Sequence, residues 1–161
     1  MSDSSTHPRV RISTSHGDLV AELWEDVAPK HVESFQKLGR DGFYDDLNFH
    51  RIIPGFVIQG GCPRGDGTGG PGYQLEAEFN DRQHVPGTLS MARSQHPDSA
   101  GSQFFICLTR EHCRHLDGKY TAFGQIVEGM EVVEKIGAVP TDGADRPKEP
   151  VVLKGVTPLE D

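Results

Sequence analysis

The chain has 161 residues with 16 lysines and arginines against 24 aspartates and glutamates, a formal net charge of −8. That length suits one domain able to bury roughly 70% of its extended surface, and the acidic balance, without any basic run, argues against nucleic acid or an anionic membrane as partner. Glycine supplies 19 residues, well above the usual ~7%, which fits short strands joined by tight turns.

In chain order, residues 1–9 are polar and read as a flexible tail ahead of a single domain over 10–161. They contain no apolar core of a secretory signal, and no apolar stretch approaches the ~20 residues of a membrane span. Val10–Thr14 and Leu19–Leu23 alternate as a hairpin turned at His16–Gly17–Asp18. Pro29 opens a helix on which Val32, Phe35 and Leu38 repeat at helical spacing, with Gly39 or Gly42 as its stop. Strands are expected over Asn48–Ile53 and Phe56–Gln59, then a long glycine-rich loop from Cys62 to Tyr73. Further strands are expected near Thr88–Ala92, Gln103–Leu108 and Ala122–Ile126. A helix over Met130–Ile136, stopped by Gly137, and a last strand over Val151–Val156 complete the chain. The prevalence of strands and turns argues for a closed β architecture. Phe79, Phe104 and Phe123 are assigned to the core. Cys62, Cys107 and Cys113 are too few for a disulfide framework, which points to a reducing cytoplasm. Cys107, in an apolar run, reads as a core residue. No exposed apolar interface is apparent, so a monomer is expected.

Three strands can place polar side chains in one outward row. Side chains alternate along a strand, so Arg51 lies opposite His50 and Ile52, Val57 shares a face with Gln59, and Gln103 shares a face with Phe105. An arginine, two glutamines and an aromatic ring can hold an apolar ring and hydrogen-bond a peptide backbone. No nucleophile with a base stands in these rows, which limits the chemistry to binding or to a reaction without a covalent intermediate.

Five ordered blocks carry a family resemblance: Asn48–Gly61 (NFHRIIPGFVIQGG), Gly65–Gly70 (GDGTGG), Gly87–Ala92 (GTLSMA), Gly101–Cys107 (GSQFFIC) and His115–Gly124 (HLDGKYTAFG). Together they resemble the cyclophilin-type peptidyl-prolyl cis-trans isomerases, over about Val10 to Pro158. The resemblance implies a closed eight-stranded antiparallel β-barrel capped by two α-helices, with the groove on its outside. It implies Arg51, Gln59 and Phe56 as the catalytic residues, Arg51 donating to the twisted amide and Gln59 bonding the substrate backbone. Phe56, Val57, Phe105 and Leu116 would wall a proline-ring pocket. Ala92 and Arg93 would offer main-chain contacts, and Gln103 would orient the polar side. Proline-containing peptides and unfolded client proteins are the implied partners, and no metal, cofactor or proton transfer is needed. Three positions depart from the best-known members. His115 replaces a pocket tryptophan, Tyr120 a pocket histidine and Val57 a methionine. All three stay in the implied substrate-binding set, but the loss of the tryptophan implies weak cyclosporin binding.

Other motifs have plainer readings. Gly65, Gly67 and Gly70 match G-x-G-x-x-G, but Pro71 and Gly72 argue against the helix that a dinucleotide site needs. His112, Cys113 and His115 lack a fourth ligand and any standard zinc spacing, so a solvated loop is favoured over a metal site. Glu76 and Glu78 would share a strand face without a motif around them. His50 reads as a packing histidine. The competing functional class is a proline-peptide-binding module without turnover.

Overall fold

In the N-terminal hairpin, β1 (Arg9–Thr14) buries Val10, Ile12 and Thr14 and turns its arginines outward. It pairs antiparallel with β2 (Gly17–Leu23), Val10 opposite Ala21 and Ile12 opposite Leu19. The turn is drawn in by Thr14 Oγ1, which donates to Gly17 O at 2.6 Å and accepts from His16 N at 3.0 Å. Gly17 takes φ +135°, and a Cβ there would stand 2.9 Å from Val132, so no other residue fits without displacement. The computed structural model describes residues 7–65 and 67–159. Most of the tail expected over 1–9 therefore lies outside the described residues, and Arg9 already belongs to β1.

Helix α1 (Pro29–Arg40) follows the expected periodicity, burying Val32, Phe35 and Leu38. Its first turn has no side-chain cap of its own. The Glu78 carboxylate, 47 residues away, instead accepts from the His31 amide at 2.9 Å and the Lys30 amide at 3.2 Å, which satisfies donors that a helix start leaves open. Gly39 does not stop the helix. A Cβ there would meet the Val156 carbonyl at 2.7 Å, so this glycine lets α1 lie against the last strand. Phe35 joins the sheet to the helix through ring contacts with Tyr44 at 5.2 Å, Phe104 at 5.3 Å and Phe123 at 5.1 Å. The Tyr44 hydroxyl donates to Ser102 O inside this core, and burial raises its pKa.

The remaining elements are β3 (Leu47–Asn48), β4 (Arg51–Ile53), β5 (Val57–Gly60), β6 (Thr88–Met91), β7 (Phe104–Cys107), α2 (Arg110–Cys113) followed by a 3-10 turn (Arg114–Leu116), β8 (Ala122–Glu128), α3 (Met130–Gly137) and β9 (Val152–Leu159). One antiparallel sheet holds the strands in the order β3-β9-β1-β2-β8-β6-β7-β5-β4.

Two expectations are corrected here. Asn48–Ile53 is not one strand. β3 pairs with β9 while β4 pairs with β5, at opposite ends of the sheet. Phe49 and His50 between them are both buried, which breaks the alternation a strand requires. Because the two end strands are only two residues apart in the chain, the sheet must curl back on itself. It does not close: the Phe49 amide goes to Val151 O and the Ile52 amide to Asp145 O. The fold is thus a nine-stranded curled open sheet with helices, not the closed eight-stranded barrel capped by two helices. Phe79 is also no core residue; it is 43% exposed. Residues 76–83 form no strand but an extended surface segment tethered through Ala77 N–Asp98 and Glu78 N–Thr121, so Glu76 and Glu78 share no strand face. No helix among the described residues is long and apolar enough to cross a membrane.

Candidate active site

The groove is built across β4, β5 and β7. Arg51 stands opposite Gln59, and Gln59 opposite Phe105. Arg51 Nη1 donates to Gln59 Oε1 at 3.3 Å, and Gln59 Nε2 donates to Gln103 Oε1 at 3.2 Å. Gln103 Nε2 in turn donates to the carbonyls of Gly67 and Gly69 at 2.9 and 3.0 Å. The relay orients each amide by its neighbour and anchors the row to the glycine-rich loop. That loop opens no helix. Its Gly67 and Gly69 amides donate to Cys62 Sγ, so it serves as scaffold for the row. Arg51 is exposed on an end strand, and among the described residues no carboxylate pairs with it. Among the described residues its other side-chain donors make no hydrogen bond.

Beside the polar row lies an apolar floor, separate from the main core. Val57, Phe105 and Leu116 are buried to 3–5% exposure, with Phe56, Ala92 and Tyr120 packed against them. Phe105 and Tyr120 meet edge to face at 5.8 Å, and Phe56 stacks on the exposed ring of His115 at 5.8 Å. All strand β7 side chains are buried, Phe104 and Ile106 in the main core, Phe105 and Cys107 in this floor. The Ala92 amide donates to Gln103 O at 3.0 Å. A polar trough of about 910 Å³ adjoins the floor, lined among others by Gln59, Arg93, Ser94, Ser99 and Gln103.

Cys113, on the short helix α2 where a solvated loop is expected from the sequence, turns inward and donates to Phe56 O at 3.3 Å. A hydrogen bond with Cys113, then burial, push the Cys107 thiol far above its ordinary range. His112 and His115 are exposed, and among the described residues no three His, Cys, Asp or Glu side chains gather as a metal-binding group. Trp24 follows β2, which three strands separate from β5, and lies under the Arg82 guanidinium at 4.6 Å.

Sequence reasoning missed the support beneath the floor. His84 is fully buried and lies nearly parallel to the Phe105 ring at 6.2 Å. Its Nδ1 is 3.1 Å from Asp117 Oδ1 and its Nε2 is 2.8 Å from Ser90 Oγ. Asp117 also accepts from the His84 amide and pairs with Arg110 at 2.8 Å. Partial burial opposes the Asp117 carboxylate, but the His84 amide, Arg110 and the His84 ring outweigh it and hold its pKa low. The partners are 33 residues apart, and no spacing in the sequence points to them.

Burial lowers the pKa of His84, against the opposing pull of Asp117. The neutral ring donates Nδ1–H to Asp117 and accepts a hydrogen bond from the Ser90 hydroxyl at Nε2. His31 is alike: burial lowers its pKa against the Glu78 hydrogen bond, and its buried Nε2 has no partner for a proton among the described residues. Both groups have folded pKa values below the unfolded value, so the unfolded chain binds more protons between the two. Their contribution to stability is intact above the unfolded value of about 6.5 and is lost as pH falls below it towards the folded values. Denaturation midpoints should therefore fall on going from about pH 7.5 to about pH 5. A flat profile would contradict the neutral assignment of both rings.

The family model described as cyclophilin type peptidyl-prolyl cis-trans isomerase/CLD matches residues 9–157. A peptidyl-prolyl cis-trans isomerase of Synechococcus elongatus is 50% identical over 127 residues, 78% of this chain and 86% of that one. One from Schizosaccharomyces pombe is 42% identical over 153 residues, 91% of this chain and 97% of its own. The crystal structure of a cyclophilin-type isomerase from Cryptosporidium parvum, determined in the presence of the dipeptide Ala-Pro, superposes with a TM-score of 0.90 at 34% identity, covering 95% of this chain and 99% of that one. The match spans the groove strands, the floor and the curled sheet alike, and the chain belongs to the cyclophilin-type peptidyl-prolyl cis-trans isomerase family.

Proposed function

We propose that this chain catalyses cis-trans isomerisation of Xaa-Pro bonds without a covalent intermediate, with Arg51 stabilising the twisted amide. The uncatalysed barrier of ~18–20 kcal/mol reflects delocalisation of the nitrogen lone pair into the carbonyl. Rotation localises that pair and makes the nitrogen an acceptor. A donor aimed there binds the twisted state better than either planar one, and that difference is what accelerates the reaction. The observation that carries this reading is an exposed guanidinium with no carboxylate partner among the described residues, oriented by Gln59 at the edge of an apolar floor that suits a proline ring. Gln59 and Gln103 supply hydrogen bonds to the peptide backbone, and Phe56, Val57, Phe105 and Leu116 hold the ring. Proline-containing segments of peptides and of unfolded proteins are the substrates. That the Cryptosporidium relative was crystallised with Ala-Pro supports this assignment. Turnover of a short Xaa-Pro peptide tests it. Saturable binding of that peptide without acceleration would instead favour the non-catalytic binding module.

The same site is proposed to bind cyclosporin weakly. His115 is exposed and stacks on Phe56, offering less surface than an indole and a donor whose position depends on tautomer. His115→Trp should tighten inhibition while leaving peptide turnover within a modest factor. In the unmodified protein cyclosporin should leave Trp24 emission unchanged. Inhibition of the unmodified protein as strong as in tryptophan-bearing relatives would remove this role from position 115.

A further inference from the structure

The family resemblance implies main-chain contacts from Arg93, but its side chain has a distinct task. The guanidinium lies over the Tyr120 ring, 4.4 Å from the centroid. From there Nε and Nη2 donate to Lys119 O at 3.2 and 2.7 Å, while Nη1 donates to Ser94 O at 2.9 Å and Gln95 O at 3.4 Å. One planar fork thus joins two segments, 93–95 and 119–120. Only arginine can stack and bridge several carbonyls at once, since lysine brings a single compact charge. The first segment leads from Ala92 at the floor into the polar trough, and the second carries Tyr120, whose ring stands edge-on to Phe105 at 79°. All the acceptors are main-chain carbonyls, so the clamp needs no particular neighbouring side chain except the Tyr120 ring.

We propose that Arg93 is a positioning residue: its guanidinium pins Tyr120 against Phe105, setting the wall of the proline pocket and separating that pocket from the polar trough. This inference rests on the isomerase reading of the groove. One face of the Tyr120 ring is covered by Arg93 and its edge-to-face partner is Phe105. Without the clamp the ring gains rotamers that a bound peptide must freeze out. The wall touches the proline ring in planar and twisted states alike, so its loss weakens ground state and transition state equally.

The test compares Arg93→Ala and Arg93→Lys with the unmodified protein on one Xaa-Pro peptide, reading KM, kcat, the unfolding midpoint and the NMR signals of ring-labelled Tyr120. KM should rise roughly 3–10-fold with kcat nearly unchanged. The Tyr120 ring signals should move towards averaged values, and lysine should not restore either property. A KM within twofold of the unmodified protein, full rescue by lysine, or a fall in kcat that follows a lowered unfolding midpoint would each overturn the proposal. If instead the unmodified protein does not accelerate isomerisation of the peptide, it is the isomerase reading that falls. Peptide affinity by titration, together with the Tyr120 signals, then decides the clamp by itself: weakened binding with averaged signals upholds it, and unchanged binding removes it.

Discussion

Arg51→Ala should lower kcat/KM by about 100-fold or more, since removing one preorganised donor to a developing charge typically costs ~2.7–4 kcal/mol. The fold should survive, because the side chain is exposed on an end strand and among the described residues its one side-chain hydrogen bond is to Gln59. Gln59 keeps its donation to Gln103, so the relay loses only its outer member. Arg51→Lys should recover only part of the loss: a point charge can approach the amide nitrogen but cannot hold Gln59 and the substrate with one rigid fork. Peptide turnover alongside unfolding midpoints checks both variants. Near-normal turnover in folded Arg51→Ala would remove the electrostatic mechanism.

The second large effect separates the two sides of strand β7. Phe104 is fully buried and meets Phe35, Tyr44 and Phe49 through ring contacts. Phe104→Ala should cost roughly 3–5 kcal/mol of stability, since it removes a large buried ring from a packed aromatic cluster. Peptide binding measured under conditions where this variant remains folded should change little. Phe105→Ala should weaken peptide binding. It should also cost some stability, because Phe105 is only 5% exposed and packs on His84 and Tyr120. Denaturation curves and peptide titrations on both variants distinguish the roles. Unweakened peptide binding in Phe105→Ala would exclude this floor as the proline pocket.

Much of this was legible in order along the chain. Alternation alone marked Val10–Thr14 and Leu19–Leu23 as a hairpin, in which Val10, Ile12, Leu19 and Ala21 are buried, and put Phe104 and Phe105 on opposite faces of one strand, because side chains on a strand have a period of two. Helical spacing identified Val32, Phe35 and Leu38. The same alternation placed Arg51, Gln59 and Gln103 on a common outward row, and the structure links them by hydrogen bonds. The five blocks pointed to the family because they sit where strands and turns must recur in order. Local pattern failed where the environment is set by distant segments. Phe79 is apolar in sequence, yet its segment is tethered to Asp98 and Thr121 with the ring left half in water.

The sequence by itself determined most of the strands, though not the break at Phe49 and His50, together with the two longer helices, the groove's polar row and the family. Each depends on residues a few positions apart or on motifs read in register. Only the tertiary structure decided that the sheet stays open, because the amides of Phe49 and Ile52 find carbonyls outside the neighbouring strands' ladders. It alone brought His84 under Phe105, set Glu78 at the start of α1, and turned the Arg93 side chain onto Tyr120. Those contacts join residues separated by 21 to 47 positions, and no periodicity in a chain specifies which of its many polar side chains will meet across such distances once the core has formed.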